Sequence, residues 1–173
     1  MLPKLSFILG GAASGKSVFA ENLILNSGLK PVYIATSRIW DDETKVRVNV
    51  HKSRRDETWT TVEAAFDLSI ALSTATPEQA VLIDCATMWL TNHLLDESDL
   101  EVAQNQLLVS LKTCTASVVI VSNEVGQGIV PDNALSRQFR EAQGRLNIAL
   151  AAHSDLAMQV IAGLPNVLKG TLQ

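Results

Sequence analysis

A chain of 173 residues has the length of one α/β domain with a single sizeable core, read here as one domain over residues 1–173. Its 47% hydrophobic and 18% charged content excludes extended disorder, and a formal charge of −4 argues against a general nucleic-acid binder. No stretch approaches the roughly 18 apolar residues of a membrane span.

The apolar run at residues 5–9 is too short for the core of a secretion signal. Cys85 and Cys114 have no metal-ligand spacing, so both are expected to be reduced, structural thiols of a cytoplasmic protein. That same run, Leu5-Ser6-Phe7-Ile8-Leu9, reads as a buried parallel strand. It leads into Gly10-Gly11-Ala12-Ala13-Ser14-Gly15-Lys16-Ser17, which fits G-x-x-x-x-G-K-[ST] without a mismatch, and residues 18–25 follow as a helix. Glycines at 10, 11 and 15 let the backbone curl so that successive N–H groups face phosphate oxygens. Lys16 would reach the β- and γ-phosphates, the Ser17 hydroxyl would sit on Mg²⁺, and the helix N-terminus adds partial positive charge. The expected fold is therefore α/β, a three-layer P-loop NTPase fold with a mostly parallel central sheet.

After a stop at Asn26-Ser27-Gly28, residues 32–35 form a second strand with Thr36 and Ser37 at its carboxyl end. Those hydroxyls either touch a ligand or cap the next helix. Residues 39–55 read as a helix opened by Asp41, Asp42 and Glu43 and closed by Lys52, Arg54 and Arg55, the order a helix dipole favours. Ile39, Val46 and Val50 would face the core, and Arg47 and His51 lie one turn apart on a polar face. Cations around His51 favour its neutral, nucleophilic form and attract a triphosphate. A solvated basic face with an incidental histidine has the same pattern.

Residues 59–63 are a short strand or connector, and residues 63–72 an amphipathic helix. Val81-Leu82-Ile83-Asp84 is a buried strand ending in a carboxylate, placed to hold Mg²⁺ at the sheet edge. A helix carrying Met88, Trp89, Leu90, Leu94 and Leu95 follows, with His93 as a surface or packing residue, and then another helix over 100–111. The strand at 117–122 ends in a glycine-punctuated loop, residues 123–131. Asp132 or Asn133 starts a long helix whose stripe is Leu135, Phe139, Ala142, Leu146, Ala149 and Leu150; Arg137, Arg140 and Arg145 lie off it, and His153 continues it. Residues 156–161 are the final clear strand, and the tail is either a last short strand or a frayed end.

Taken together the chain resembles the bifunctional adenosylcobinamide kinase/adenosylcobinamide-phosphate guanylyltransferase family of cobalamin biosynthesis. The resemblance spans nearly the whole sequence. It rests on the residue 10–17 block, Tyr33-Ile34-Ala35-Thr36-Ser37, Asp41-Asp42-Glu43 with Arg47, His51 and Lys52, and then Trp59 and the 81–84 strand. Asn123-Glu124-Val125-Gly126-Gln127-Gly128-Ile129-Val130-Pro131, Arg137, Phe139-Arg140, Gly144-Arg145 and Asn147 complete it, the 123–131 block being the most specific. The resemblance implies phosphorylation of adenosylcobinamide by ATP or GTP, then transfer of GMP from GTP through a guanylyl-histidine at His51. It also implies nucleotide contacts at Ala35, Thr36, Ser37, Lys52, Ser53, Arg54, Arg55, Glu63 and Asp84, Mg²⁺ as cofactor, a corrinoid substrate, and a homotrimer. The chain departs from many relatives at Arg54-Arg55-Asp56, where they carry a proline, and from some at Val50, where they carry a second histidine.

Overall fold

The computed structural model describes residues 1–38 and 55–172, so the helix expected over 39–55, with His51, Lys52, Ser53 and Arg54, lies outside the described residues except for Arg55. Seven strands form one sheet: β1 (Leu5–Gly10), β2 (Lys30–Ala35), β3 (Thr60–Glu63), β4 (Gln79–Asp84), β5 (Ser117–Asn123), β6 (Leu156–Ile161) and β7 (Leu164–Lys169). Their order is β3-β2-β4-β5-β1-β6-β7, parallel throughout except that β7 runs antiparallel to β6. The helices are α1 (Lys16–Leu25), α2 (Ser69–Ser73), α3 (Ala86–Leu95), α4 (Leu100–Thr113) and α5 (Ala134–His153). This is the P-loop NTPase architecture expected from the sequence, with β7 as the short strand the tail pattern left open.

Alternation along the strands splits the core in two. Phe7, Ile34, Ile83 and Ile120 face the layer of α2 to α5, while Ile8, Tyr33, Leu82, Val119, Val121 and Met158 face α1. Both faces of the central strands are covered, which is why their sequences are continuous apolar runs rather than alternating ones. Each fully buried Ile or Leu contributes about 1.5–3 kcal/mol relative to exposure.

The helix expected over 63–72 is corrected: only Ser69–Ser73 is helical. The carbonyls and amide a helix would use at its start are taken from elsewhere. Ala64 donates its N–H to the Ala35 carbonyl at 2.9 Å, Asn92 Nδ2 donates to the Ala65 carbonyl at 2.9 Å, and Trp89 Nε1 to the Phe66 carbonyl at 2.7 Å. Asp67 then starts α2 by accepting the Ser69 N–H at 2.8 Å. On α5, Leu146 and Leu150 are buried as expected, but Leu135 is 51% exposed. His153 is also exposed rather than on the stripe, its Nδ1 lying 2.8 Å from the Ala149 carbonyl.

His93 does pack, with its ring 4.5 Å from that of Trp89 and 5.2 Å from that of Phe66. Its Nε2 lies 3.4 Å from the Phe66 carbonyl, and its Nδ1 is buried without a hydrogen-bond partner among the described residues. Burial holds its pKa below the ordinary value, against the opposing pull of Phe66 and Asp96. The unfolded chain therefore binds the proton more readily, and stability falls as pH drops through about 6.5. The melting temperature is expected to fall between about pH 7 and pH 5, and His93→Phe to flatten that slope. An unchanged slope would contradict the assignment. Asp67, held low by Ser69, acts in a separate window below about pH 4.

Candidate active site

The turn between β1 and α1 is built from conformations that few side chains tolerate. Gly15 sits at φ 90° and Ala13 at φ 54°. A Cβ on Gly10 would clash with Ser14 Oγ and come within 2.8 Å of the Val160 carbonyl. No side chain of the described residues caps α1, and its first turn carries no acid, so its leading N–H groups face an open cradle. Lys16 Nζ donates to the Gly11 carbonyl at 3.0 Å, folding the ammonium over the loop; Ser17 follows in the first turn, half-buried. Ala12 and Ala13 form the exposed crest.

A second support was not read from the sequence. The β6–β7 hairpin turns through Ala162 and Gly163, both with positive φ, and the Gly163 N–H donates to the Ser14 carbonyl at 2.8 Å. The signal available was the Ala-Gly pair between two short apolar runs.

Register brings the other candidates to the same edge. Ala35 pairs with Asp84 on one side and Glu63 on the other, so these three end their strands together. Asp84 is buried and accepts the Tyr33 hydroxyl at Oδ2, 3.2 Å away. Burial first, and Asp84 second, push the Tyr33 pKa far up, so the phenol stays a donor. The Arg55 guanidinium carbon lies 3.4 Å from the centre of the Tyr33 ring, and Trp59 meets that ring edge-on at 6.3 Å. Beside them a cleft of about 380 Å³ is lined by Arg55, Asp56, Trp59, Thr61 and Glu63.

Cys85 follows Asp84, and burial pushes its thiol up to about 11; Asp84 pushes the same way and Lys16 opposes. The thiol thus lies within the fields of both Asp84 and Lys16, and it is free, as is Cys114. The Thr36 hydroxyl, expected either to touch a ligand or to cap the next helix, is bonded to the backbone of Cys85. Thr36 is fully buried, donating to the Cys85 carbonyl and accepting the Cys85 N–H, each at 2.8 Å. It ties the ends of β2 and β4 together. Ser37 is half-buried just beyond it.

The residue 123–131 loop leaves β5 beside the glycine turn, where the Glu124 N–H donates to the Gly10 carbonyl at 3.0 Å. Glu124 accepts the Gly126 N–H at 2.6 Å, and Arg140 donates to the carbonyls of Gly126 and Gly128. Arg137 holds the carbonyls of Pro131 and Asp132 at 3.0 and 2.7 Å. Beneath the loop Ser122, Gln143 and Asn147 form a polar network at 2.7–3.0 Å, and Asn147 Nδ2 donates to the Asn123 carbonyl at 3.1 Å. Gln143 was missed because a buried amide looks like any surface glutamine in sequence.

Such an edge can grip a polyphosphate through backbone N–H groups and one ammonium, with a carboxylate opposite. The sequence model of the family described as cobinamide kinase / cobinamide phosphate guanyltransferase matches residues 6–168. The bifunctional adenosylcobalamin biosynthesis protein CobP of Pseudomonas aeruginosa is 42% identical over 166 residues, covering 94% of this chain and 96% of that protein. The bifunctional adenosylcobalamin biosynthesis protein CobU of Escherichia coli is 38% identical over 173 aligned residues, covering 91% and 95%. Among solved structures, flagellar accessory protein FlaH from Methanocaldococcus jannaschii matches with TM-score 0.56 at 14% identity, over 99% of this chain and 84% of that one. A Pyrococcus horikoshii protein matches with TM-score 0.58 at 9% identity, over 99% and 89%. At such identities the structures speak for the fold alone.

Proposed function

Because the chain belongs to the cobinamide kinase / cobinamide phosphate guanyltransferase family, an enzyme family of cobalamin biosynthesis, we propose that it carries out both reactions of that description. In the first, ATP or GTP phosphorylates the aminopropanol hydroxyl of adenosylcobinamide. In the second, the His51 imidazole attacks the α-phosphorus of GTP, pyrophosphate leaves, and the acceptor phosphate takes the GMP to give adenosylcobinamide-GDP. Splitting the displacement in two leaves a reactive N–P bond for the second half. The observation that carries this reading is the uncapped glycine turn with Lys16 folded over it, on the edge that Asp84 shares.

The residues do the positioning. Backbone N–H groups of residues 10–17 hold the phosphates, Lys16 neutralises charge, and Arg55 and Glu63 line the cleft next to Tyr33. Thr36, with its hydroxyl on Cys85, keeps the strand ends in register. Ser17 and Asp84 suit Mg²⁺, whose hard-oxygen preference is met by a hydroxyl and a carboxylate. Among the described residues no group of three or more His, Cys, Asp or Glu is placed to cage a metal, which fits an ion that fills its shell from phosphate and water. That ion would supply charge neutralisation on the phosphates. We place the enzyme in the cytoplasm as a homo-oligomer, a trimer. Among the described residues no helix is long and apolar enough to cross a membrane.

The test is a pair of assays on the purified chain. Adenosylcobinamide with ATP or GTP should yield adenosylcobinamide phosphate, and that product with GTP should release pyrophosphate. Phosphorylation without pyrophosphate would reduce the protein to a kinase, and neither reaction would leave a nucleotide binder.

A further inference from the structure

Tyr33 lies one strand away from Asp84, and alternation puts the two on one face of the sheet. Tyr33 and Leu82, paired across β2 and β4, both face α1, while Ile34 and Ile83 face the opposite layer. Asp84 is two residues beyond Leu82 and so returns to the α1 side, the side of the helix that begins with Lys16 and Ser17. The Tyr33 ring is 4% exposed, and its hydroxyl donates to Asp84 Oδ2 at 3.2 Å.

That ring has little freedom. The Arg55 guanidinium carbon sits 3.4 Å from its centre, and Trp59 meets it edge-on at 6.3 Å. Burial and the Asp84 charge keep the phenol protonated, so it stays a donor toward the carboxylate. A phenylalanine would fill the same core space; the hydroxyl is the part that packing does not require. Its effect falls on Asp84 instead. A carboxylate rotates about a single bond, and a donor held on one oxygen fixes where the other points.

We propose that Tyr33 is a positioning residue for Mg²⁺, its hydroxyl fixing the Asp84 carboxylate in the orientation from which that carboxylate holds the ion. The role rests on the reading of Ser17 and Asp84 as the groups that suit Mg²⁺. Tyr33 itself touches neither ion nor nucleotide and acts only through Asp84.

Titration calorimetry measures the affinity for β,γ-imido-GTP once with Mg²⁺ and once with EDTA, and the quantity read is the ratio of the two. Mg²⁺ should tighten binding to the wild type. Tyr33→Phe keeps the ring that Arg55 and Trp59 pack against, so its affinity in EDTA should stay within about twofold. The ratio should fall about tenfold, the loss typical when a metal ligand loses an outer hydrogen bond. A merely structural role would weaken both affinities together, and an unchanged ratio overturns the proposal. Asp84→Asn should abolish the ratio by itself. Tyr33→Phe/Asp84→Asn, which leaves no carboxylate unpaired should Tyr33→Phe alone fail to fold, should match Asp84→Asn. A further loss in the double variant overturns action through Asp84. Where Asp84→Asn keeps the ratio, or Mg²⁺ does not tighten the wild type, the metal reading of Asp84 falls and the proposal with it. Where Asp84→Asn loses the ratio but Tyr33→Phe keeps it, only the role of Tyr33 falls.

Discussion

Lys16→Ala is expected to lower kcat for both phosphoryl and guanylyl transfer by about 10²–10³-fold, the loss typical of one preorganised group stabilising transition-state charge. The glycine turn offers backbone N–H groups and half a unit of helix-end charge, but Lys16 is the full positive charge within the residue 10–17 motif. Its ammonium already lies over the loop, 3.0 Å from the Gly11 carbonyl, so a phosphate oxygen would meet it without rearranging α1. Lys16 is half-buried at the helix start and outside both apolar clusters, so the melting temperature should move little. Lys16→Arg should rescue poorly, because a planar fork replaces a compact point charge. Steady-state rates for each half-reaction check this, and a variant within about threefold of wild type in both would remove Lys16 from the site.

His51→Ala is expected to split the two activities. Guanylyl transfer should fall by about 10⁴-fold or more, since a missing nucleophile cannot be replaced by positioning alone. Phosphoryl transfer to the corrinoid hydroxyl should stay within about threefold, because in the proposed reaction that step would pass directly between substrates on the glycine turn. The Arg47, Lys52, Arg54 and Arg55 cluster remains in the variant, so nucleotide affinity should be largely kept. Added imidazole should restore part of the transfer. Parallel loss of both activities would mean that residue 51 shapes the fold or the binding site rather than bonding to phosphorus.

What the sequence revealed depended on how local each cause is. The β1–turn–α1 unit was legible because glycine conformations, a lysine and a helix start all lie within residues 10–17. Asp84 was legible because an apolar run ending in a carboxylate marks a strand edge. The segment at 64–68 misled because its apolar spacing is helical while its carbonyls belong to Asn92 and Trp89, some 23 to 27 residues away. The bonding of Thr36 was hidden in the same way: its hydroxyl meets the backbone of Cys85, 49 residues on. The Gly163 support for the turn and the Gln143 network are long-range as well, and periodicity carries no trace of them.

The most direct measurement follows the α-phosphorus. The purified protein is incubated with Mg²⁺ and GTP labelled at the α-phosphate, denatured, and digested for peptide mapping. The account predicts an acid-labile, alkali-stable label on the peptide that contains His51, absent in His51→Ala and discharged when adenosylcobinamide phosphate is added. A wild-type enzyme that forms adenosylcobinamide-GDP without ever carrying the label, or a label that persists in His51→Ala, would contradict it.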